Sequence, residues 1–293
     1  MDHATQQVTS PDGTTLSCTI VGGTGAGSAT DTDGGTDAGS AVDTGSGAGA
    51  GSAPTVVVLH GLAGSAREFV PTAEALADDG RRVVLVDLRG HGGSTTRPAD
   101  TSREASTSDV VAVVEALDGE PVDLVGQSLG AHTAMLVAAA RPDLVRRLVL
   151  LEGDQGGGTP DEHRALGDFF RSWPVPFADR AAARAFLGEG PLQEAWVADL
   201  EDRPDGLWPR FDPDVLQSTI EAVATPRWAE WEAVTAPTLV VHADGGMFAP
   251  EAQDEFVRRG SDVTRVELVG ASHDAHLDAH DQWVAALRGF LLP

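Results

Sequence analysis

The stretch VDLVGQSLG, residues 122–130, decides the fold. Residues 122–125 are a short apolar run, and the Ala-rich residues after Gly130 have the composition of a helix. A serine between two glycines at a strand-to-helix turn stands clear of the sheet. The next backbone N–H lies at a helix N-terminus, where it can stabilise a negative charge. The pattern G-x-S-x-G occurs once in the chain, and it occurs in this context, so we interpret Ser128 as a nucleophile.

Charge and composition limit the class of protein. The formal net charge is −25 at pH 7, which repels phosphate backbones and anionic lipid surfaces. No apolar run approaches the roughly 18 residues of a membrane-spanning helix, and the polar N-terminus lacks a secretory-signal pattern. We therefore expect a soluble, cytoplasmic protein that acts on a small molecule and binds neither nucleic acid nor membrane. The single cysteine, Cys18, lies in an apolar run and is expected to be buried.

Short apolar runs alternate with helical patterns along the chain. The runs cover residues 15–21, 55–60, 83–87, 122–125, 147–151, 238–242 and 263–269. Helical patterns cover about residues 71–79, 103–117, 129–140, 250–259 and 276–290. This alternation predicts an α/β fold, with a mostly parallel sheet of roughly eight strands and helices on both of its faces.

Two segments interrupt the alternation. Residues 22–53 are almost wholly Gly, Ala, Ser, Thr and Asp, which lack the apolar surface that offsets the entropy of ordering. We expect a flexible insert there. Residues 156–235 contain helical patterns and many prolines but no convincing strand, and they hold most of the aromatic residues. We interpret this segment as a helical cap on a core of residues 1–155 and 236–293, with most of its aromatics packed together and one or two facing the serine.

Two further motifs flank the predicted sheet edge. His60-Gly61-Leu62-Ala63-Gly64 ends an apolar run and places a tight turn where ligands of open α/β sheets bind. The Leu62 amide is then a second oxyanion donor beside that of Leu129, although such a turn can also simply cap a buried strand. His273 follows the last predicted strand and precedes the last helical pattern, which makes it the best candidate for a general base.

The remaining histidines near His273 give no sign of a metal site. His276 and His280 lie downstream in the last helical pattern, and we interpret both as surface or packing residues. The spacing of His273 and His276 lacks an accompanying cluster of cysteine or carboxylate ligands. We therefore predict neither a metal nor an organic cofactor.

These motifs, in this order, resemble the α/β-hydrolase superfamily, in a member with a serine nucleophile and an inserted cap. The stretch DLRGHGGS at residues 87–94 resembles the loop after the family's fourth strand, and GASH at residues 270–273 resembles the loop that bears its catalytic histidine. The resemblance runs from about residue 8 to residue 292. It implies a Ser-His-acid triad, an acyl-enzyme, and a hydrophobic carboxylic ester or related acyl compound as substrate.

The acid of the triad is where this chain departs from the family. That residue usually follows the strand predicted here at residues 238–242, at the position of Gly246. Asp244 lies nearby and is an alternative acid. Some relatives carry the carboxylate after the preceding core strand, where this chain has Glu152 and then Asp154. We predict Glu152, because it comes directly at the end of that strand.

Fold and triad do not fix the substrate. A carboxylic ester is the default, because its cleavage asks least of the apparatus. Carbon–carbon bond hydrolysis, thioesterase, lactonase or amidase activity and cofactor-free perhydrolysis stay open. A ligand receptor or signalling protein on the same fold is the rival from another class. By resemblance, a serine rather than an aspartate at position 128 argues against haloalkane and epoxide chemistry.

Overall fold

The computed structural model describes residues 3–23, 53–117 and 119–292, so most of the predicted insert at residues 22–53 lies outside the described residues. Eight strands form one sheet in the order β1-β2-β4-β3-β5-β6-β9-β10. They are β1 His3–Thr9, β2 Thr15–Val21, β3 Val56–Leu59, β4 Val83–Val86, β5 Val122–Gln127, β6 Val145–Leu151, β9 Thr238–Gly245 and β10 Val263–Ser272. The first two strands run antiparallel to their neighbours and all later pairs are parallel, which confirms the predicted fold class.

Helices cover both faces of the sheet. They are α1 Val70–Asp78, α2 Arg103–Ala116, α3 Leu129–Ala140, α9 Pro250–Arg259, α10 Ala275–Asp278 and α11 His280–Leu291. Alternate residues of each central strand belong to two separate apolar clusters: in β3, Val57 and Leu59 pack with α2 and α3, whereas Val56 and Val58 pack with α1 and α11. Burial on both faces explains why the strands have continuous apolar sequences. Cys18 is buried in the first cluster, as expected.

Two elements differ from the predictions. The polar residues of β1 show no apolar alternation, and only Val8 is buried there. This strand exists because its residues from His3 to Thr9 pair in register with β2. The helical pattern at residues 276–290 divides into α10 and α11, because Ala279 leaves the helical conformation with φ −127° and ψ 37°.

The segment between β6 and β9 contains five helices and a hairpin. These elements are α4 Pro160–Arg171, α5 Arg180–Leu187, α6 Pro191–Asp199, β7 Glu201–Arg203, β8 Gly206–Trp208, α7 Pro213–Glu221 and α8 Trp228–Ala233. The hairpin was not predicted, because strands of three residues are too short to show an apolar alternation. The boundaries of a cap at residues 156 and 235 stay a prediction.

Aromatic side chains in this segment pack in two different places. Trp173 contacts the rings of Phe170, Trp196 and Phe211 at centroid distances of 5.8, 5.4 and 5.4 Å. Trp231 instead stacks on Phe256 of α9 at 4.3 Å and belongs to the main core. The aromatic set therefore serves both the segment's own cluster and the sheet. Among the described residues, none of the helices is long and apolar enough to cross a membrane.

Candidate active site

Ser128 lies on the sharp turn between β5 and α3, in the left-handed region with φ 52°. For a non-glycine residue this conformation costs about 1–3 kcal/mol, and it persists only where the surroundings enforce it. The Ser128 N–H donates to the Leu151 carbonyl at 2.9 Å. A Cβ at Gly126 would overlap the Gly130 carbonyl, and one at Gly130 would overlap the Leu59 carbonyl. Both glycines of the motif are therefore required by close backbone packing.

The turn of residues 60–64 carries Leu62, whose amide is a predicted oxyanion donor, and we call it the oxyanion turn. His60 supports this turn. Its Nδ1 lies 2.7 Å from the Gly61 carbonyl, and the Leu88 N–H donates to its Nε2 at 3.0 Å. Burial disfavours the charged imidazole and lowers the pKa of His60 to about 4. A neutral ring with Nδ1 as donor and Nε2 as acceptor satisfies both contacts.

His91 supports the next part of the oxyanion turn in the same way. The Ala63 N–H donates to His91 Nε2 at 3.2 Å, and burial lowers the pKa of His91 to about 3. Ala63 itself has φ 58°. Two neutral imidazoles thus fix the backbone on either side of Leu62, whose half-buried side chain packs against both the main core and the aromatic cluster.

His273 lies beside the serine turn. The Gln127 side-chain amide donates to the His273 carbonyl at 3.2 Å, and Gln127 is the residue directly before Ser128. His273 Nδ1 lies 3.1 Å from Glu152 Oε2. The loop of His273 and Asp274 between β10 and α10, which we call the histidine loop, therefore meets the last residue of β5 and the residue that follows β6.

Glu152 is fully buried and its carboxylate is surrounded by donors. Oε1 accepts from the Ala243 N–H at 2.8 Å, and Oε2 accepts from the Met247 N–H at 3.0 Å as well as from His273. Burial raises the pKa of Glu152, but the hydrogen bonds from His273 and the two amides outweigh burial and leave the pKa below its ordinary value. The group is charged at neutral pH and oriented by three hydrogen bonds.

Gly246 explains how the carboxylate fits. A Cβ built at Gly246 would overlap the Glu152 carboxylate, which thus occupies the space of a side chain at position 246. Glu152 reaches that space from a left-handed conformation with φ 47°, whereas Gly246 is not among the residues with positive φ. The family's usual acid position and Glu152 therefore compete for the same volume.

The two alternative acids are engaged elsewhere. Asp244 accepts from the backbone N–H groups of Gly270 and Ala271 at 2.9 and 3.1 Å, and so holds the end of β10. Asp154 accepts from the Gly156 N–H at 2.8 Å in a local turn. Within the part of the chain that the structure describes, neither carboxylate has a hydrogen bond to His273.

Other predicted or missed residues complete the site. His276 is buried and stacks on Phe69 at a centroid distance of 4.2 Å, while the side chain of His280 is about one-third exposed, at 33%.

Sequence reasoning missed Gln127, because the variable position of G-x-S-x-G carries no signal of its contact with His273. In residues 3–23, 53–117 and 119–292, no group of three or more His, Cys, Asp or Glu side chains is arranged to hold a metal ion.

Comparison with known proteins places this site in a family. The sequence profile of the α/β-hydrolase fold matches residues 54–280. The chain belongs to the α/β-hydrolase family. This α/β hydrolase is 30% identical over 254 residues to the sn-1-specific diacylglycerol lipase ABHD11 of Mus musculus, with 81% of each chain covered.

A second relative and a solved structure agree with this assignment. The α/β hydrolase is 40% identical over 218 residues to the 2-hydroxy-6-oxononadienedioate/2-hydroxy-6-oxononatrienedioate hydrolase of Paraburkholderia xenovorans, covering 68% of this chain and 72% of the relative. The crystal structure of E-2-(acetamidomethylene)succinate hydrolase superposes with a TM-score of 0.80 over 99% of both chains at 20% identity, which shows the shared fold. Both of these relatives of the chain are hydrolases, and the chain is a hydrolase.

Proposed function

We propose that this α/β hydrolase cleaves carboxylic esters with an apolar acyl group, through a triad of Ser128, His273 and Glu152. The observation that carries the proposal is the 3.1 Å contact between His273 Nδ1 and the buried Glu152 carboxylate, beside the strained serine turn. A carboxylate on Nδ1 fixes the tautomer in which Nε2 is free to accept a proton. His273 is then a general base with a defined orientation.

The reaction begins when His273 Nε2 takes the hydroxyl proton of Ser128 and the serine oxygen attacks the ester carbonyl carbon. The Leu62 and Leu129 amides donate to the oxygen that becomes negative. His273, now protonated and stabilised by Glu152, gives its proton to the leaving alcohol as the carbon–oxygen bond breaks. Water then attacks the acyl-serine with His273 as base, which releases the acid and restores Ser128.

The substrate class follows from the surroundings of the oxyanion turn. Ala63 belongs to the same apolar cluster as Phe170 and Trp173, and Leu62 packs against that cluster. Apolar side chains packed around this turn favour a substrate with a hydrophobic acyl or alcohol group. The activities named for the two relatives, a diacylglycerol lipase and a hydrolase of a hydroxy-oxo-dienedioate, support a carbonyl substrate with a carbon chain.

Labelling with a fluorophosphonate, followed by turnover of nitrophenyl esters of increasing acyl length, tests the proposal. We expect stoichiometric labelling at Ser128 and multiple turnover in the wild type. Ser128→Ala should lose both while its melting temperature stays nearly unchanged. Ser172→Ala is the matched control, because the Ser172 hydroxyl is exposed and bonds only the Phe169 carbonyl in its own helix end.

The same assay separates the rival functions. A ligand receptor on this fold would label poorly or turn over no ester, and that result refutes the proposal. Slow turnover of every ester together with rapid cleavage of a vinylogous 1,5-diketone would reassign the chain to carbon–carbon bond hydrolysis. Full activity in Ser128→Ala would remove the serine mechanism altogether.

A further inference from the structure

Glu68 is a buried carboxyl group that the mechanism above does not use. It lies in the 3-10 turn Ala66–Phe69, which begins two residues after the oxyanion turn, and only 9% of the residue is exposed. Its Oε2 lies 2.7 Å from the point where a Cβ of residue 64 would be. The absence of a side chain at Gly64 therefore allows the Glu68 carboxyl to pack against the turn that carries Leu62.

The same carboxyl oxygen of Glu68 also faces the segment that follows His273. Glu68 Oε2 lies 3.6 Å from His276 Nε2, and His276 lies in α10, which begins two residues after His273. Phe69 stacks on the His276 ring with an interplanar angle of 4°. Neither ring nitrogen of His276 has a hydrogen-bond partner among the described residues. Glu68 and His276 thus form a buried contact without a hydrogen bond, between the 3-10 turn that follows the oxyanion turn and the helix α10 that follows His273.

The charges around Glu68 are mostly negative. Asp87, at the end of β4, accepts from the Ala66 N–H at 2.8 Å and acts on Glu68 electrostatically. Asp199 from α6 and Asp274 from the histidine loop also lie within electrostatic range, because burial and the charge of Glu68 both raise their pKa values. Burial raises the pKa of Glu68 to about 8, and the charge of Asp87 adds to this effect.

Cations do not offset these charges at Glu68. Its neighbour Arg67 lies 3.4 Å from Asp199 instead, and Arg210 also approaches Asp199, at 3.8 Å. Within the described ranges, no arginine forms an ion pair with Glu68. Burial lowers the pKa of His276 to about 4, so this partner is neutral too. An uncharged Glu68 next to an uncharged His276 is the state that this environment favours at neutral pH.

We propose that Glu68 is a positioning residue: as an uncharged acid it holds the oxyanion turn against the histidine loop, and when it ionises it opposes the negative charge that forms on the substrate. The inference rests on the proposed function, because a developing oxyanion is what the charge of Glu68 would repel. Glu68 touches no reacting atom. It acts through the turn that carries Leu62, in a region where water screens charges weakly.

The pH dependence of kcat tests this proposal. Wild type and Glu68→Gln are compared on one nitrophenyl ester between about pH 6 and 10, with Glu74→Gln, an exposed acid of α1, as the matched control. We expect wild-type kcat to fall by about tenfold as Glu68 ionises, and Glu68→Gln to lack that fall while staying within about threefold of wild type at pH 7. An alkaline fall that is identical in wild type and Glu68→Gln overturns the proposal.

Thermal unfolding gives a second readout that needs no turnover. Because the pKa of Glu68 is raised in the folded state, its stabilising contribution is present below the ordinary value of 4.5 and is lost as the pH rises through about 8. The melting temperature of wild type should therefore fall relative to that of Glu68→Gln over this window. A difference that is constant with pH contradicts the uncharged state. Glu68→Met, an uncharged side chain of similar length, replaces the Gln variant if that variant does not fold.

The two proposals fail in distinguishable ways. A wild-type chain without serine labelling or ester turnover refutes the proposed function, and the role of Glu68 falls with it. Normal labelling and turnover with an unaltered alkaline limb in Glu68→Gln refutes the role of Glu68 alone.

Discussion

Replacing Glu152 by glutamine removes a charge while keeping the shape, and the structure allows its effect to be worked out. Oε1 accepts one hydrogen bond, from Ala243, whereas Oε2 accepts two, from Met247 and His273. The single oxygen of a glutamine satisfies most donors when it replaces Oε2. Its NH₂ group then faces the Ala243 N–H and leaves that buried donor unpaired, which costs about 1–3 kcal/mol of stability.

The catalytic loss in Glu152→Gln is larger than the loss of stability. The His273 imidazolium formed during attack no longer has a buried counter-charge, and kcat should fall by a factor on the order of 10³ to 10⁴. Such a fall corresponds to about 4–5.5 kcal/mol of transition-state stabilisation. Steady-state kinetics on a nitrophenyl ester, with circular dichroism to verify folding, measures both effects. Asp244→Asn is the control, because the exposed Asp244 holds the end of β10 and should cost at most about tenfold. A crippled Asp244→Asn beside a nearly normal Glu152→Gln would refute the assignment.

Moving the carboxylate from position 152 to position 246 gives a more direct test of this assignment. Glu152→Ala empties the volume in front of Gly246, and Gly246→Asp then places a carboxylate there from β9, at a backbone position without a left-handed φ. We expect the double variant to recover at least about tenfold in kcat over Glu152→Ala alone. Gly246→Asp with Glu152 intact should lose activity, because two carboxylates compete for one space. No recovery in the double variant would show that the volume is not interchangeable.

Three further predictions concern the scaffold and the pH range. Gly130→Ala should lower the free energy of unfolding by more than about 3 kcal/mol in urea titration, because its Cβ meets the Leu59 backbone, which cannot move aside; wild-type stability would contradict the close packing. Trp231→Ala should lower the free energy of unfolding by about 3–5 kcal/mol, since the fully buried ring stacks on Phe256 and its Nε1 donates to the Phe256 carbonyl at 2.8 Å. Trp208→Ala on the short hairpin should lower it far less. Because the pKa of Glu152 is lowered, its stabilising charge is present above the ordinary value of 4.5 and is lost as the pH falls through the lowered pKa. The difference in melting temperature between wild type and Glu152→Gln should therefore shrink as the pH falls below 4.5.

Sequence reasoning succeeded where a local pattern directly reflects burial or capping. The helix bounds Leu129–Ala140 and Pro250–Arg259 match the predictions, because the first follows the serine turn and the second begins with a proline at its first turn. The buried strands were visible because both of their faces are apolar. Strand β1 and the short hairpin were not, because each depends on pairing with a partner strand rather than on its own composition.

Only part of the site could be predicted from the sequence, for a related reason. Ser128 and His273 occupy recognisable motifs, but the choice of Glu152 over Asp244 rested on position alone. The contacts that distinguish the two acids, to the amides of Ala243 and Met247, join residues about ninety positions apart in the chain. Gln127 likewise contacts His273, and Glu68 contacts His276, although these residues lie far apart in the sequence.

The loop after β9 gives the acid assignment an evolutionary consequence. If Glu152 supplies the charge, this loop contributes the main-chain N–H of Met247 to the site, whereas the Met247 side chain is 71% accessible. Its side chains are then released from selection for chemistry, and they can diverge as long as the main-chain path is kept. A saturation library over residues 244–248 should tolerate most substitutions at Met247 except proline, which lacks the N–H that Glu152 accepts. If Glu152 is the acid, the loop after β9 can acquire new substrate contacts without loss of that acid.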